Sequence, residues 1–133
     1  MKLLTADDIL QASDLPKQLV DVPEWGGSVY VRALSGSERD SYEASIVGTR
    51  TDNKQLNLNN IRARLCALTI CDEAGKRLFS DAQINALGNK SAAALQRIYD
   101  VARKLSGLSP EDVEELAEGI AENPTNSFNS DSA

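Results

Sequence analysis

Three features of this 133-residue chain predict a mainly helical α+β fold, with an N-terminal β-hairpin packed on a bundle of about four to six helices. The runs Gln18 to Val22 and Ser28 to Leu34 alternate apolar and polar residues as half-buried strands do, and Pro-Glu-Trp-Gly-Gly separates them. Directly after the second run, Ser35 and Glu38 have the spacing of a capping box, so the strand feeds into a helix. Further on, Leu95, Ile98, Ala102 and Leu105 recur at helical spacing, with Gln96, Arg97, Asp100, Arg103 and Lys104 on the other faces.

The elements follow in order. A short helix is expected to open the chain, with Thr5 as N-cap, Asp8 at the third position and Ile9 and Leu10 as its apolar contribution, ending before Pro16. Pro23 has no N–H, which ends the first strand or places it at an edge. A helix from Ser37 to about Gly48 turns Tyr42, Ile46 and Val47 inward, and Thr49 to Asn57 is polar and unpatterned, an exposed loop. Leu58 to Cys71 has so little polar surface that it reads as a central helix. Arg62 and Arg64 read as side chains snorkelling from it rather than as phosphate or acid contacts.

Asp72 to Gly75 is a turn, followed by Leu78 and Phe79 as core anchors; the alternating oxygen ligands and terminal Glu of a calcium loop are missing. Ser80 and Gln83 form a second capping box before a short helix through Ile84 and Leu87, which Gly88 closes. The amphipathic helix spans Ser91 to Ser106 and Gly107 stops it. A last helix starts at Ser109, Pro110 and Asp112, and runs Val113, Leu116, Ala117 and Ile120 along one stripe between acidic faces. Burying Val113, Leu116 and Ile120 contributes about 1.5 to 3 kcal/mol each, against about 1 to 2 kcal/mol per ordered backbone residue, so this stripe needs a surface to lie on. Residues 1–122 read as a single domain and residues 123–133 as a disordered tail.

Charge is distributed unevenly. Residues 1–104 hold all 14 Lys and Arg against 13 of the 20 Asp and Glu, so the net charge of −6 arises after Lys104, where seven acidic residues meet no basic one. A near-neutral body with an acidic end does not suit nucleic acid. No apolar run approaches the roughly 20 residues of a membrane helix, and the N-terminus turns acidic before a signal-peptide core could form, so a soluble cytoplasmic protein is expected.

The chain has no His, which removes the usual general base near neutral pH and the commonest metal ligand. Asp7-Asp8, Glu111-Asp112 and Glu114-Glu115 lie at helix starts or on solvated faces, where carboxylates serve caps and macrodipoles. Cys66 and Cys71 match no zinc spacing and read as buried free thiols. There is no P-loop and no dinucleotide fingerprint. The residues alone therefore point to a small non-catalytic interaction domain, with no cofactor and no metal.

One stretch is more specific. V-x-V-P-E-W-G-G-x-V-x-V-R-x-L-S-G-x-E-R, then a helical segment and C-D-E-x-G-x-x-L-F-S, resembles the tail assembly chaperones of long-tailed bacteriophages, from about Val20 to about Asn123. That resemblance implies a protein that binds the tape measure protein, keeps it soluble and extended, helps recruit tail tube subunits, self-associates, and leaves the host cytoplasm's tail intermediate before the virion is mature. Many phages also make a longer form by frameshifting, and this chain is about the size of the short one. On this reading Val113, Leu116 and Ile120 are the candidate partner contacts, followed by Trp25 and Tyr30 on the hairpin; Trp25 in its Gly-flanked turn suits the fold as well as a partner. The alternative is a permanent virion protein, such as a head–tail connector or tail terminator subunit.

Overall fold

Alternation in the hairpin becomes two antiparallel strands in the computed structural model, which describes residues 1–47 and 57–108. Strand β1 (Lys17–Val22) pairs with β2 (Gly27–Arg32), with Val20 opposite Val29 and Leu19 opposite Tyr30. Val20, Val22 and Val31 are buried on one face, while Lys17, Leu19 and Asp21 point away from the core. Pro23 ends β1, as its missing N–H requires, and opens a single 3₁₀ turn, Pro23–Trp25.

Six helical and strand elements complete the chain: α1 (Ala6–Gln11), α2 (Gly36–Val47), α3 (Ile61–Thr69), β3 (Ile70–Cys71), α4 (Ile84–Gly88) and α5 (Ala92–Leu105). The described residues thus form a three-stranded sheet, in the order β1-β2-β3, with helices against its inner face. The capping box at Ser35 is formed, its Oγ accepting from the Glu38 N–H at 3.2 Å while Glu38 Oε1 accepts from the Ser35 N–H at 3.0 Å. Ser80 is closed in the same way by Gln83, and Ser91 Oγ accepts from the Ala94 N–H at 3.2 Å to start α5. Gly107, at φ +73°, takes the left-handed conformation that ends α5.

Helix α3 is central, as its composition predicts, with Ala63, Leu65, Cys66 and Ala67 all buried. It packs along α5, whose Ala94, Leu95, Ile98 and Ala102 are buried, and α5 in turn lies on β1 and β2. The alanines on the shared faces allow close approach, and Leu65 and Ile98 fill the space between. Tyr42 and Ile46 are buried from α2 and Val47 is half-buried.

Three expectations are corrected. The segment expected to be one helix over Leu58 to Cys71 is divided: α3 ends at Thr69, and Ile70 and Cys71 pair with Val31 and Tyr30 as β3. A short apolar run carries no period that separates strand from helix, and the free edge of β2 supplies the partner. Of the two expected anchors after the turn, Phe79 packs on the core but Leu78 is 52 % exposed, because successive side chains of extended chain point to opposite sides. Finally, Ile9 and Leu10 contribute nothing to the core: α1 has its Thr5 and Asp8 capping box but buries no residue. Adjacent positions on a six-residue helix diverge by about 100°, so they form no stripe.

The turn at Asp72 is closed by its own carboxylate, Oδ1 accepting from the Ala74 and Lys76 N–H groups at 2.9 Å each. Cys66 and Cys71 are free and buried, one on α3 and the other on β3, and burial pushes the Cys66 thiol up to about 12. The expected loop from Thr49 to Gln55 and Leu56, the acidic helix and the tail fall outside the described residues.

Candidate partner-binding site

The turn that carries Trp25 is held from both sides. Gly26, at φ +77°, closes it in the left-handed region. The Glu24 carboxylate accepts from both terminal nitrogens of Arg97 on α5, at 2.8 and 2.9 Å. These hydrogen bonds hold the Glu24 carboxyl down at about 2 and raise the Arg97 guanidinium. The pair is partly exposed, so it fixes position more than it adds stability.

Trp25 is half-buried against the core, and with Phe79 and the α4 residues Ala86 and Leu87 it lines an open groove of about 380 Å³, bordered by Asn89 and Lys90. Most of the groove's wall is apolar carbon. A surface of this kind, walled by an aromatic pair and a short helix, is suited to receiving apolar side chains of another protein. Replacing Gly26 with Ala is expected to cost about 1 kcal/mol by urea denaturation, because an L residue is strained at that φ, with Asn costing less.

Tyr30 lies elsewhere. It stands on the sheet's outer face opposite Leu19, with the Lys17 ammonium 5.2 Å from its ring centroid. Leu19 is 55 % exposed beside it. The structure therefore places Trp25 and Tyr30 on two separate surfaces. Val113, Leu116 and Ile120 lie outside the described residues.

Sequence reasoning missed Ala86, Leu87 and Lys90 as neighbours of Trp25, and it missed the Glu24–Arg97 tie, whose partners are 73 positions apart. It also misread Arg64, which is buried rather than snorkelling: its terminal nitrogens donate to the Ser45 and Asn57 carbonyls at 2.8 and 2.5 Å. Arg62 is exposed, donating to Gln96 with its guanidinium over the Tyr99 ring. Among the described residues no cluster of three or more carboxylate or thiol side chains could hold a metal ion, and no helix is long and apolar enough to cross a membrane.

The motif that bears the family resemblance has a structural explanation. Arg32, buried on β2, donates from both terminal nitrogens to Glu38 at 2.8 Å, from Nε to the Gly75 carbonyl at 3.0 Å and from Nη1 to the Ala33 carbonyl at 3.0 Å. One guanidinium thus joins strand, helix start and turn. A family model described as phage tail assembly chaperone matches residues 10–118. This chain belongs to that family. The tail assembly chaperone fold is also that of a solved relative, the bacteriophage HK97 tail assembly chaperone, which superposes with a TM-score of 0.54 at 20% identity, covering 74% of this chain and 94% of that one. No curated protein matches the chain.

Proposed function

We propose that this tail assembly chaperone binds the tape measure protein during tail morphogenesis, self-associates along it, helps recruit tail tube subunits, and acts in the host cytoplasm without being retained in the virion. The observation that carries this reading is the family match across residues 10–118. The chemistry agrees with it: an unassembled tape measure helix exposes apolar seams, and a protein with apolar surfaces of its own covers them, many weak contacts adding through avidity. Val113, Leu116 and Ile120 supply the apolar seam for the tape measure protein, on a segment whose acidic faces keep the complex soluble. The Trp25 groove and the outer face at Tyr30 are further surfaces open to a protein partner.

The test is co-expression with the tape measure protein. Leu116→Asp with Ile120→Asp should abolish co-purification while circular dichroism remains that of the folded chain, and mass spectrometry of purified virions should find no copy of the protein. Retained co-purification, or stoichiometric copies in virions, would overturn the respective part of the reading.

A further inference from the structure

The described residues contain an apolar helix with nothing to pack on and an apolar groove with nothing in it, and these lie at opposite ends of the molecule. Leu3 and Leu10 are 86 % and 83 % exposed, Ile9 is 57 % exposed, and α1 buries no residue on its own chain. The segment leading from α1 ends at Pro16, whose carbonyl accepts from the Ala33 N–H at 2.9 Å. Leu15 and Pro16 lie beside Leu105 and Ser106, at the C-terminal end of α5. The groove is at the other end, next to the Trp25 turn that Glu24 ties to Arg97 in the N-terminal half of α5.

Two rulers give the separation. Strand β1 runs its full six residues between the arm and the turn, about 20 Å at the usual rise per residue. Along α5 the distance from Arg97 to Leu105 is about 12 Å. Donor and acceptor surfaces are therefore arranged head to tail, which is the geometry of a heterologous contact that propagates from copy to copy rather than closing as a two-fold dimer.

Charge agrees with the same pairing. Asp7 is one turn from Leu10 on α1 and lies on its side of the helix, whereas the groove's exposed ionic residue is Lys90. Seating Leu10 against Trp25, Phe79 and Ala86 would bring a carboxylate towards an ammonium at the rim.

We propose that the groove at Trp25 receives the N-terminal arm of a second copy of this chain, with Leu10 as the anchor and Asp7 against Lys90. This rests on the self-association stated above and assigns its two surfaces. The apolar contact supplies the association and the charge pair sets its register.

Complementary variants test it by sedimentation velocity on the full chain. Leu10→Asp changes an exposed residue of an unpacked helix, and Ala86→Glu changes an exposed residue of α4, so both should fold as the parent does. Each alone should weaken association at least tenfold. Mixed in equal amounts, they should form a dimer and nothing larger, since Leu10→Asp retains its groove and Ala86→Glu retains its arm. Lys90→Glu should weaken association and Asp7→Lys in the same chain should restore it.

A parent chain that is monomeric at millimolar concentration would overturn both this pairing and the self-association reading. A parent chain that associates while Leu10→Asp is without effect, or a mixture that remains monomeric, would overturn the pairing alone. If Ala86→Glu abolished capture of the tape measure protein yet left the oligomer intact, the groove would belong to that partner instead.

Discussion

Glu38→Ala is expected to lower the stability of the chain by about 3 kcal/mol or more, read as a shift of the urea midpoint at unchanged slope. The carboxylate serves two elements at once. It accepts both terminal nitrogens of Arg32 at 2.8 Å and also the Ser35 N–H at 3.0 Å, so its removal uncaps α2 and leaves a guanidinium only 9 % exposed without its counter-charge. Loss of the cap alone costs about 1 kcal/mol; the abandoned buried charge makes up the rest. Arg32→Lys should also be costly, because one ammonium cannot reach Glu38, the Gly75 carbonyl and the Ala33 carbonyl together.

The same pair predicts a pH dependence. Hydrogen bonds from Arg32 draw the Glu38 carboxyl from an ordinary 4.5 down to about 2. A depressed carboxylate binds its proton more readily in the unfolded chain, so its stabilisation is complete above about pH 5 and is lost as the pH falls from there towards 2. Glu38→Gln should reduce the slope of stability against pH across that window and leave it unchanged near neutrality. A Glu38→Ala variant within 1 kcal/mol of the parent, or a Glu38→Gln profile of undiminished slope, would show that the pair does not hold the strand to the helix.

This pair also shows how far local pattern reaches. Ser35 and Glu38 are three positions apart, and their capping box was legible because both halves lie within one turn. The core stripe of α5 was legible for a similar reason, its period being set by the helix itself. Arg32 was not: its bond to Gly75 crosses 43 positions, and nothing in an alternating strand tells which arginine will turn inward. Ile70 and Cys71 left the expected helix because β2 had a free edge, a fact about the folded sheet. The same limit applies to the candidate surfaces. Trp25 stood out as the chain's single tryptophan, but the groove beside it needs α4 to fold back across more than 50 positions.

Arg64 gives the second large effect, and its origin is equally non-local. Asn57 donates its backbone N–H to the Ile46 carbonyl at 2.6 Å, while Arg64 donates to Ser45 and Asn57 from above. The guanidinium is thus the clasp between the C-terminal turn of α2 and the approach to α3, and burial lowers its pKa from the ordinary arginine value. Arg64→Ala should cost about 3 kcal/mol, since two carbonyls lose their donors and the space around the side-chain stem is left unfilled. Arg64→Met fills the stem but satisfies neither carbonyl, and Arg64→Lys keeps the charge but can straddle only with difficulty two acceptors that a planar fork meets together. Denaturant midpoints should therefore fall in the order parent, Lys, Met, Ala. A Met variant as stable as the parent would mean that packing alone, and not the two hydrogen bonds, is what α3 contributes here; a Lys variant below Met would mean that burial of the charge outweighs the bond it can still make.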